Sequence, residues 1–182
     1  YTLSTGFDVS TASFVDSFDI SGQEGAPTGL AFNTDGTKMF VSGPSGDDIN
    51  EYTLSTGFDV STASFVDSFD ISSQEINATG LAFNTDGTKM FVAGVTGDDI
   101  NEYTLTTGFD VSTASFVDSF DISGQETSPY DLAFNTDGTK MFLVGYEGKD
   151  VNEYTLTTGF DVSTASFVDS FSVSGQETGP TG

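Results

Sequence analysis

The tripeptide Tyr-Thr-Leu begins at Tyr1, Tyr52, Tyr103 and Tyr154, so the chain repeats itself every 51 residues without insertion. A fixed period of this size restricts a chain to propellers, solenoids or related arrays. Each period is then one small module whose apolar face is buried only by its neighbours. Three periods and a partial fourth fill the 182 residues. The most regular part of the period is Leu30–Val41, which returns as Leu81–Val92 and Leu132–Leu143. In it two apolar runs flank Asn33-Thr34-Asp35-Gly36. An Asp-Gly pair between alternating hydrophobics is a strong hairpin signal, because glycine accepts the positive φ that a tight turn needs.

Each period carries four strand signals, here named A to D: Thr28–Phe32, Lys38–Ser42, Ile49–Leu54 and Ser64–Ile71. Phe, Val, Ile, Thr and Tyr dominate them, as strands prefer. In the D run of the first copy, Phe14, Asp16, Phe18 and Ile20 fall on one face by period-two alternation, and Val15, Ser17 and Asp19 on the other. No segment sustains a helical rhythm, and the only helical turn expected is one capped by Asp8 in Asp8–Ala12. The expectation is an all-β, propeller-type repeat of four-stranded antiparallel blades. About three and a half blades are present: a partial blade in 1–24, blades in 25–75, 76–126 and 127–177, and the start of another in 178–182. Rings have roughly four to eight blades, so the chain reads as part of a longer repeat chain or assembly. An open superhelical array is the alternative. The start at Tyr1 and the stop at Gly-Pro-Thr-Gly agree with a segment of something longer.

The formal charge is -24, from 28 acidic residues against four lysines and no arginine. Such a chain repels nucleic acid and anionic lipid, so neither is an expected partner. No apolar run approaches membrane-spanning length, and membrane insertion is not expected. Cysteine, histidine and tryptophan are absent, which removes disulfides, thiol nucleophiles and the usual general base.

The Leu30–Val41 pattern resembles the first two strands of blades in the NHL, YVTN and WD-repeat propeller superfamily, where an apolar strand, an Asp-Gly turn and a Lys-or-Arg-then-apolar strand recur. The resemblance covers all three A–B hairpins and implies architecture rather than activity. The Trp-Asp and Gly-His pairs of WD blades are missing. The phrase Phe58-Asp59-Val60-Ser61-Thr62-Ala63-Ser64 is loosely similar to repeat proteins of marine bacteria and their phages.

Few residues suit chemistry. Asn33-Thr34-Asp35-Gly36 resembles the opening of a calcium loop, but the fifth and twelfth positions are Thr37 and Pro44 rather than a ligand and a bidentate glutamate. A hairpin turn is the better reading. Asp47 and Asp48 recur as Asp98 and Asp99, but Lys149 replaces the first aspartate in the third copy, so no shared metal site is expected. Glu51, Glu102 and Glu153 on C, and Asp16, Asp67, Asp118 and Asp169 on D, read as charges protecting an outer sheet edge. No catalytic residue, cofactor or metal is assigned.

The differences between copies collect in two connections. The D-to-A link holds Pro27 in the first copy, Ile76 and Asn77 in the second, and Tyr130 and Asp131 in the third. The B-to-C loop holds Pro44 and Ser45, then Val95 and Thr96, then Tyr146, Glu147 and Lys149. In a four-stranded meander these two connections emerge at the same end, while the A–B and C–D connections emerge at the other and barely change. A variable face on a constant scaffold suits ligand contact, since binding residues concentrate in loops. The expected partner is a glycan or a protein surface, with Tyr130 and Tyr146 as the strongest contacts. The functional expectation is a non-enzymatic binding, adhesion and structural module, extracellular or on a virion or cell surface. A carboxylate-dependent carbohydrate or polymer hydrolase and a purely structural fibre subunit are the alternatives. The charge alone generates one prediction: the melting temperature rises with added NaCl, because salt screens self-repulsion. Thermal denaturation followed at increasing salt tests it, and a flat or falling melting temperature contradicts it.

Overall fold

A computed structural model describes residues 1–181. It consists of three four-stranded antiparallel meanders with a small two-stranded piece, β1 (Thr2–Leu3) and β2 (Ala12–Ser13), ahead of them. The first meander is β3 (Gly29–Phe32), β4 (Lys38–Gly43), β5 (Asp48–Leu54) and β6 (Ala63–Asp70). The second is β7 (Ala78–Phe83), β8 (Lys89–Gly94), β9 (Asp99–Leu105) and β10 (Ala114–Asp121), and the third is β11 (Pro129–Phe134), β12 (Lys140–Gly145), β13 (Asp150–Leu156) and β14 (Ala165–Ser172). Strand order within each sheet follows the chain, and the A strands β3, β7 and β11 lie beside one another. No α-helix occurs among the described residues. One 3₁₀ turn per repeat is present, the first at Val9–Thr11 with Asp8 accepting from the Ser10 N–H.

The A–B hairpin forms as its residues dictate. Gly36, Gly87 and Gly138 sit at φ of 70–72°, a region costly to residues with a Cβ. The Asn33 carboxamide oxygen accepts from the Lys38 N–H at 2.9 Å, and Asp35 accepts from the Thr37 N–H and hydroxyl at 3.0 and 2.6 Å. The oxygens that resemble calcium ligands therefore hold the turn. The C–D connection folds back over it: the Phe58 N–H donates to the Gly36 carbonyl at 3.0 Å. A Cβ at Gly36 would meet the Phe58 ring at 2.3 Å.

One-residue bulges correct the face assignment on D. Tyr52 pairs with Phe65 but Glu51 pairs with Asp67, leaving Val66 without a partner, and the same shift recurs at Val117 and Val168. The extra residue reverses the alternation. Phe65 therefore shares a face with Tyr52, and Asp67 and Phe69 face the other way. Phe69 packs on Tyr103 of the following blade, with ring centroids 5.6 Å apart. The D run of the first copy is also not a strand. Only Thr2–Leu3 pairs with Ala12–Ser13, because Tyr1–Leu3 match only the last part of a C strand and offer no ladder to residues 14–20. Phe18 still packs on Tyr52 at 5.8 Å.

The core lies between blades. Phe40, Phe83 and Phe109 form a cluster with centroids 4.5–6.2 Å apart, and Phe91, Phe134 and Phe160 repeat it. Phe32 contacts Phe58. Phe142, the equivalent of Phe40 and Phe91, lies half-buried on the outer flank of the third blade.

An ion pair between a partly exposed lysine and a buried glutamate crosses each interface. Lys38 Nζ lies 2.6 Å from Glu51 Oε1 and donates to the Phe109 carbonyl of the next blade at 2.5 Å. Glu51 Oε2 accepts the Val111 N–H at 3.0 Å. Lys89 and Glu102 repeat this on Phe160 and Val162. Glu51 and Glu102 are 2% exposed, so they are not edge-protecting charges: both point into the interface. Asp67, Asp118 and Asp169 do lie exposed on the outer strand. Removing one partner of a fully buried pair typically costs about 3–5 kcal/mol; here the partly exposed lysine regains water, so the loss falls below that range but still exceeds that of an exposed pair. Glu102→Ala is therefore predicted to lower the denaturation midpoint strongly, whereas Glu153→Ala, whose side chain is 29% exposed, lowers it little. Equal shifts of the urea midpoint would show that the interblade contacts contribute nothing.

Candidate functional site

The two variable connections lie side by side because one buried carboxylate in each blade ties them together. Glu75, fully buried, accepts the Asn77 N–H of the D-to-A link at 2.6 Å. It also accepts the Thr96 and Gly97 N–H groups of the B-to-C loop at 3.2–3.4 Å. Glu24 does the same for Ala26 and Ser45, and Glu126 for Ser128, Glu147 and Gly148. Charge-assisted hydrogen bonds to backbone donors are the stronger kind. The fit is close: a Cβ on Gly94 would fall 2.0 Å from the Glu75 carboxyl carbon. Backbone bonds complete the seam, from the Val95 N–H to the Asn77 carbonyl and from the Tyr146 N–H to the Ser128 carbonyl. The differences between copies do not pick out these glutamates, although Gln-Glu recurs at 23–24, 74–75, 125–126 and 176–177 inside an otherwise changing link. That constancy is the signal that marks them.

The candidate residues occupy this rim unevenly. Pro27, Pro44 and Ser45 are exposed on the first blade, and Ile76 and Thr96 are exposed on the second with Asn77 and Val95 half-buried. On the third blade Tyr146 is 47% exposed and Glu147 is exposed. Tyr130 occupies a bulge in β11, since Pro129 pairs with Gly145 and Asp131 with Val144. It is half-buried. Asp131 departs from the group: it lines the outer flank of the blade with Ala133, Phe142, Val144 and Val151. Although the residue is exposed, partial desolvation against this apolar flank pushes its carboxyl pKa up, opposed by a lowering hydrogen bond from the Leu132 N–H. Lys149 has φ 53° and, alone of the four lysines, no ion pair among the described residues. The rim thus offers one open aromatic ring, one carboxylate and one free ammonium on the third blade, and smaller apolar or hydroxyl groups on the others. No group of three or more acidic side chains suited to a metal ion occurs among the described residues.

Comparison with known proteins places the fold. No family model and no curated protein sequence matches the chain. Among solved structures, it is similar to Kuenenia stuttgartiensis hydrazine synthase (12% identity, TM-score 0.59, covering 93% of this chain and 41% of that one). It is similar to the periplasmic gluconolactonase PpgL of Pseudomonas aeruginosa (15%, 0.53, 80% and 38%). It is also similar to the β-propeller domain of Myceliophteria thermophila Cps50 (Swd1) (13%, 0.51, 81% and 43%). The chain spans about two fifths of the length of each. These likenesses, with the repeated four-stranded meanders, define the class: this is an array of β-propeller blades.

Acidic groups at both ends of the blades set a pH dependence. Burial raises the pKa of Asp48 and Asp99. In the hairpin turns, hydrogen bonds from Thr37, Thr88 and Thr139 lower those of Asp35, Asp86 and Asp137. A raised folded pKa means that the native state takes up protons first, so stability increases as pH falls towards the ordinary value of 3.8. A lowered folded pKa contributes stability above 3.8 that is lost as pH falls through the folded value. Thermal stability is therefore predicted to peak at mildly acidic pH, just above the carboxylate range, and to drop on further acidification. Melts across the pH range check this, and a maximum at or above neutrality contradicts it.

Proposed function

We propose that this chain is a non-enzymatic binding and structural module that meets a glycan or protein surface through the rim of D-to-A and B-to-C connections. The setting that suits it is extracellular, on a virion or on a cell surface. One observation carries the reading. Buried glutamates hold these connections rigidly against each other, while most of the differences between copies sit on them. A pre-ordered loop avoids the entropic cost of being ordered by its ligand. Tyr146 is the anchor, because a tyrosine ring supplies broad contact with few rotamers to freeze.

The second reading is a hydrolase, favoured by the likeness to the Pseudomonas aeruginosa gluconolactonase. Against it stands the use of the repeated buried carboxylates: Glu24, Glu75 and Glu126 accept backbone N–H groups, and Glu51 and Glu102 pair with lysine.

An array of glycans and polymers, assayed for binding and for turnover in parallel, separates the readings. Tyr146→Ala is expected to weaken binding by about 1–2 kcal/mol, in the usual range for an aromatic contact that matters. It is expected to leave the melting temperature almost unchanged, since exposed loop substitutions cost less than about 0.5 kcal/mol. Tyr130→Ala is expected to weaken binding similarly but also to lower stability, because its side chain is half-buried. Thr136→Ala, in an A–B turn at the opposite end, is the control. Thr164 is unsuited to that role, as its hydroxyl donates to the Asp161 carbonyl and accepts the Thr158 N–H. Equal loss from Tyr146→Ala and Thr136→Ala, or turnover abolished by neutralising one carboxylate, overturns the proposal.

A further inference from the structure

Beneath the rim, each blade carries a buried phenol with nothing to bond to. Tyr52, Tyr103 and Tyr154 are fully buried, and none of their hydroxyls has a hydrogen-bond partner among the described residues. Buried hydroxyls are normally paired, because leaving one unpaired is costly. In the second blade Asp99, Asn101 and Tyr103 share one face of β9 by strand alternation. The Asn101 amide fixes Asp99 by donating to its Oδ1 at 2.7 Å. Burial and the charges of Asp99 and Glu75 push the Tyr103 hydroxyl pKa up, so both carboxylates lie near it. Tyr52 stands in the same relation to Asp48 and Glu24, and Tyr154 to Asp150 and Glu126.

The two carboxylates meet over a glycine. Glu75 Oε2 accepts the Gly97 N–H at 3.4 Å, and a Cβ on Gly97 would fall 2.9 and 3.0 Å from the two Asp99 oxygens. A Cβ on Gly148 would fall 2.7 Å from Asp150 Oδ1 and 3.1 Å from Glu126 Oε2. Neither glycine has a positive φ, so what glycine supplies here is space. The B-to-C loop exchanges Pro44, Ser45 and Asp47 for Tyr146, Glu147 and Lys149, yet keeps Gly46 and Asp48 as Gly148 and Asp150. Burial pushes the Asp99 carboxyl pKa up against the lowering bond from Asn101, and the Glu75 charge adds to the rise. No lysine pairs with either carboxylate among the described residues.

We propose that each blade holds a hard divalent cation of the calcium class at this point, between Glu24, Asp48 and Tyr52, between Glu75, Asp99 and Tyr103, and between Glu126, Asp150 and Tyr154. Two carboxylates balance its charge, and the phenol oxygen adds a neutral lone pair. Calcium accepts such mixed oxygen sets, with water in the remaining positions, whereas magnesium demands a near-ideal octahedron. The aspartate that Lys149 replaces is not among the ligands, so the third centre keeps both carboxylates. Because Glu75 also ties the two connections together, the ion cross-links the rim from below, whether or not the rim carries a ligand.

Calorimetric titration of the chelator-stripped chain with calcium chloride, at constant ionic strength, is the test, with terbium luminescence beside it. One calcium per blade is expected, at a dissociation constant of about 10⁻⁴–10⁻³ M, the range of weakly charged extracellular sites, and magnesium should bind less well. The chain has six tyrosines and no tryptophan, so only a tyrosine close to bound terbium can sensitise it. Gly97→Ala fills the space between the carboxylates and should remove one site per chain. Asp99→Asn keeps the shape and should weaken that site by roughly tenfold or more, since affinity follows the charge of the ligands. Tyr103→Phe should lower the terbium emission. Asp118→Asn, on the exposed face of the outer strand, should change nothing. Circular dichroism without calcium checks that each variant is folded, and Asp99→Asn decides the matter if Gly97→Ala is not. Absence of saturable calcium binding overturns the proposal. So does equal loss from Asp118→Asn and Asp99→Asn, which would mean diffuse attraction to an acidic surface, or terbium emission indifferent to Tyr103→Phe.

Discussion

The structure depends on a lysine and a glutamate that face each other on strands B and C and reach across to the next blade. Neither charge is solvated in the ordinary way, and neither is isolated. Lys38 and Glu51 neutralise each other and finish their bonding on a carbonyl and an N–H of the neighbouring turn. Desolvating a pair of ions is costly, and the cost is offset only when the remaining hydrogen-bonding positions are filled. Here the next blade fills them. The pair thus makes each blade incomplete without its successor, and it fixes where that successor sits. The phenylalanine clusters supply apolar burial, which is not directional; the ion pair supplies the angle and the register.

Much of this was legible in the sequence because it is local chemistry. The Asp-Gly turn, the four runs per period and the capped turn at Asp8 each rest on a few adjacent residues, and the 51-residue spacing supplied the rest. What was missed depends on packing. Val66 looks like an ordinary member of an alternating run, and only the pairing of Tyr52 with Phe65 and of Glu51 with Asp67 reveals the bulge. Glu51 read as an edge charge because which face of C is covered is decided by the next blade.

The candidate rim was legible in outline only. Comparing copies located the two connections, and meander topology put them at one end. The link between them, through Glu24, Glu75 and Glu126, is hidden from such a comparison because these residues do not differ between copies. A carboxylate kept constant within a changing loop is a structural post: its bonds go to backbone N–H groups, so it tolerates almost any side chain on the residues it holds. Asp131 illustrates the reverse. It belongs to the varying stretch, yet its side chain turns to the flank because bulging at Tyr130 resets the direction of the residues after it.

The sameness of the blade interfaces has a kinetic consequence. The flank of the first blade and that of the second carry the same lysine, glutamate and phenylalanine, and the surfaces meant to meet them are equally alike. A nascent chain therefore has more than one way to make a correct-looking contact, and a blade that docks one period out of place satisfies its ions and rings as well as in its proper seat. Side-chain chemistry cannot reject such a misassembly, which is a characteristic failure of repeat proteins. Rejection falls to the covalent links. The run from Ile71 to Ala78 is short enough to tether each blade beside its predecessor, so sequential docking outpaces the alternatives because its loop is the smallest to close. In this chain the connections do the proofreading.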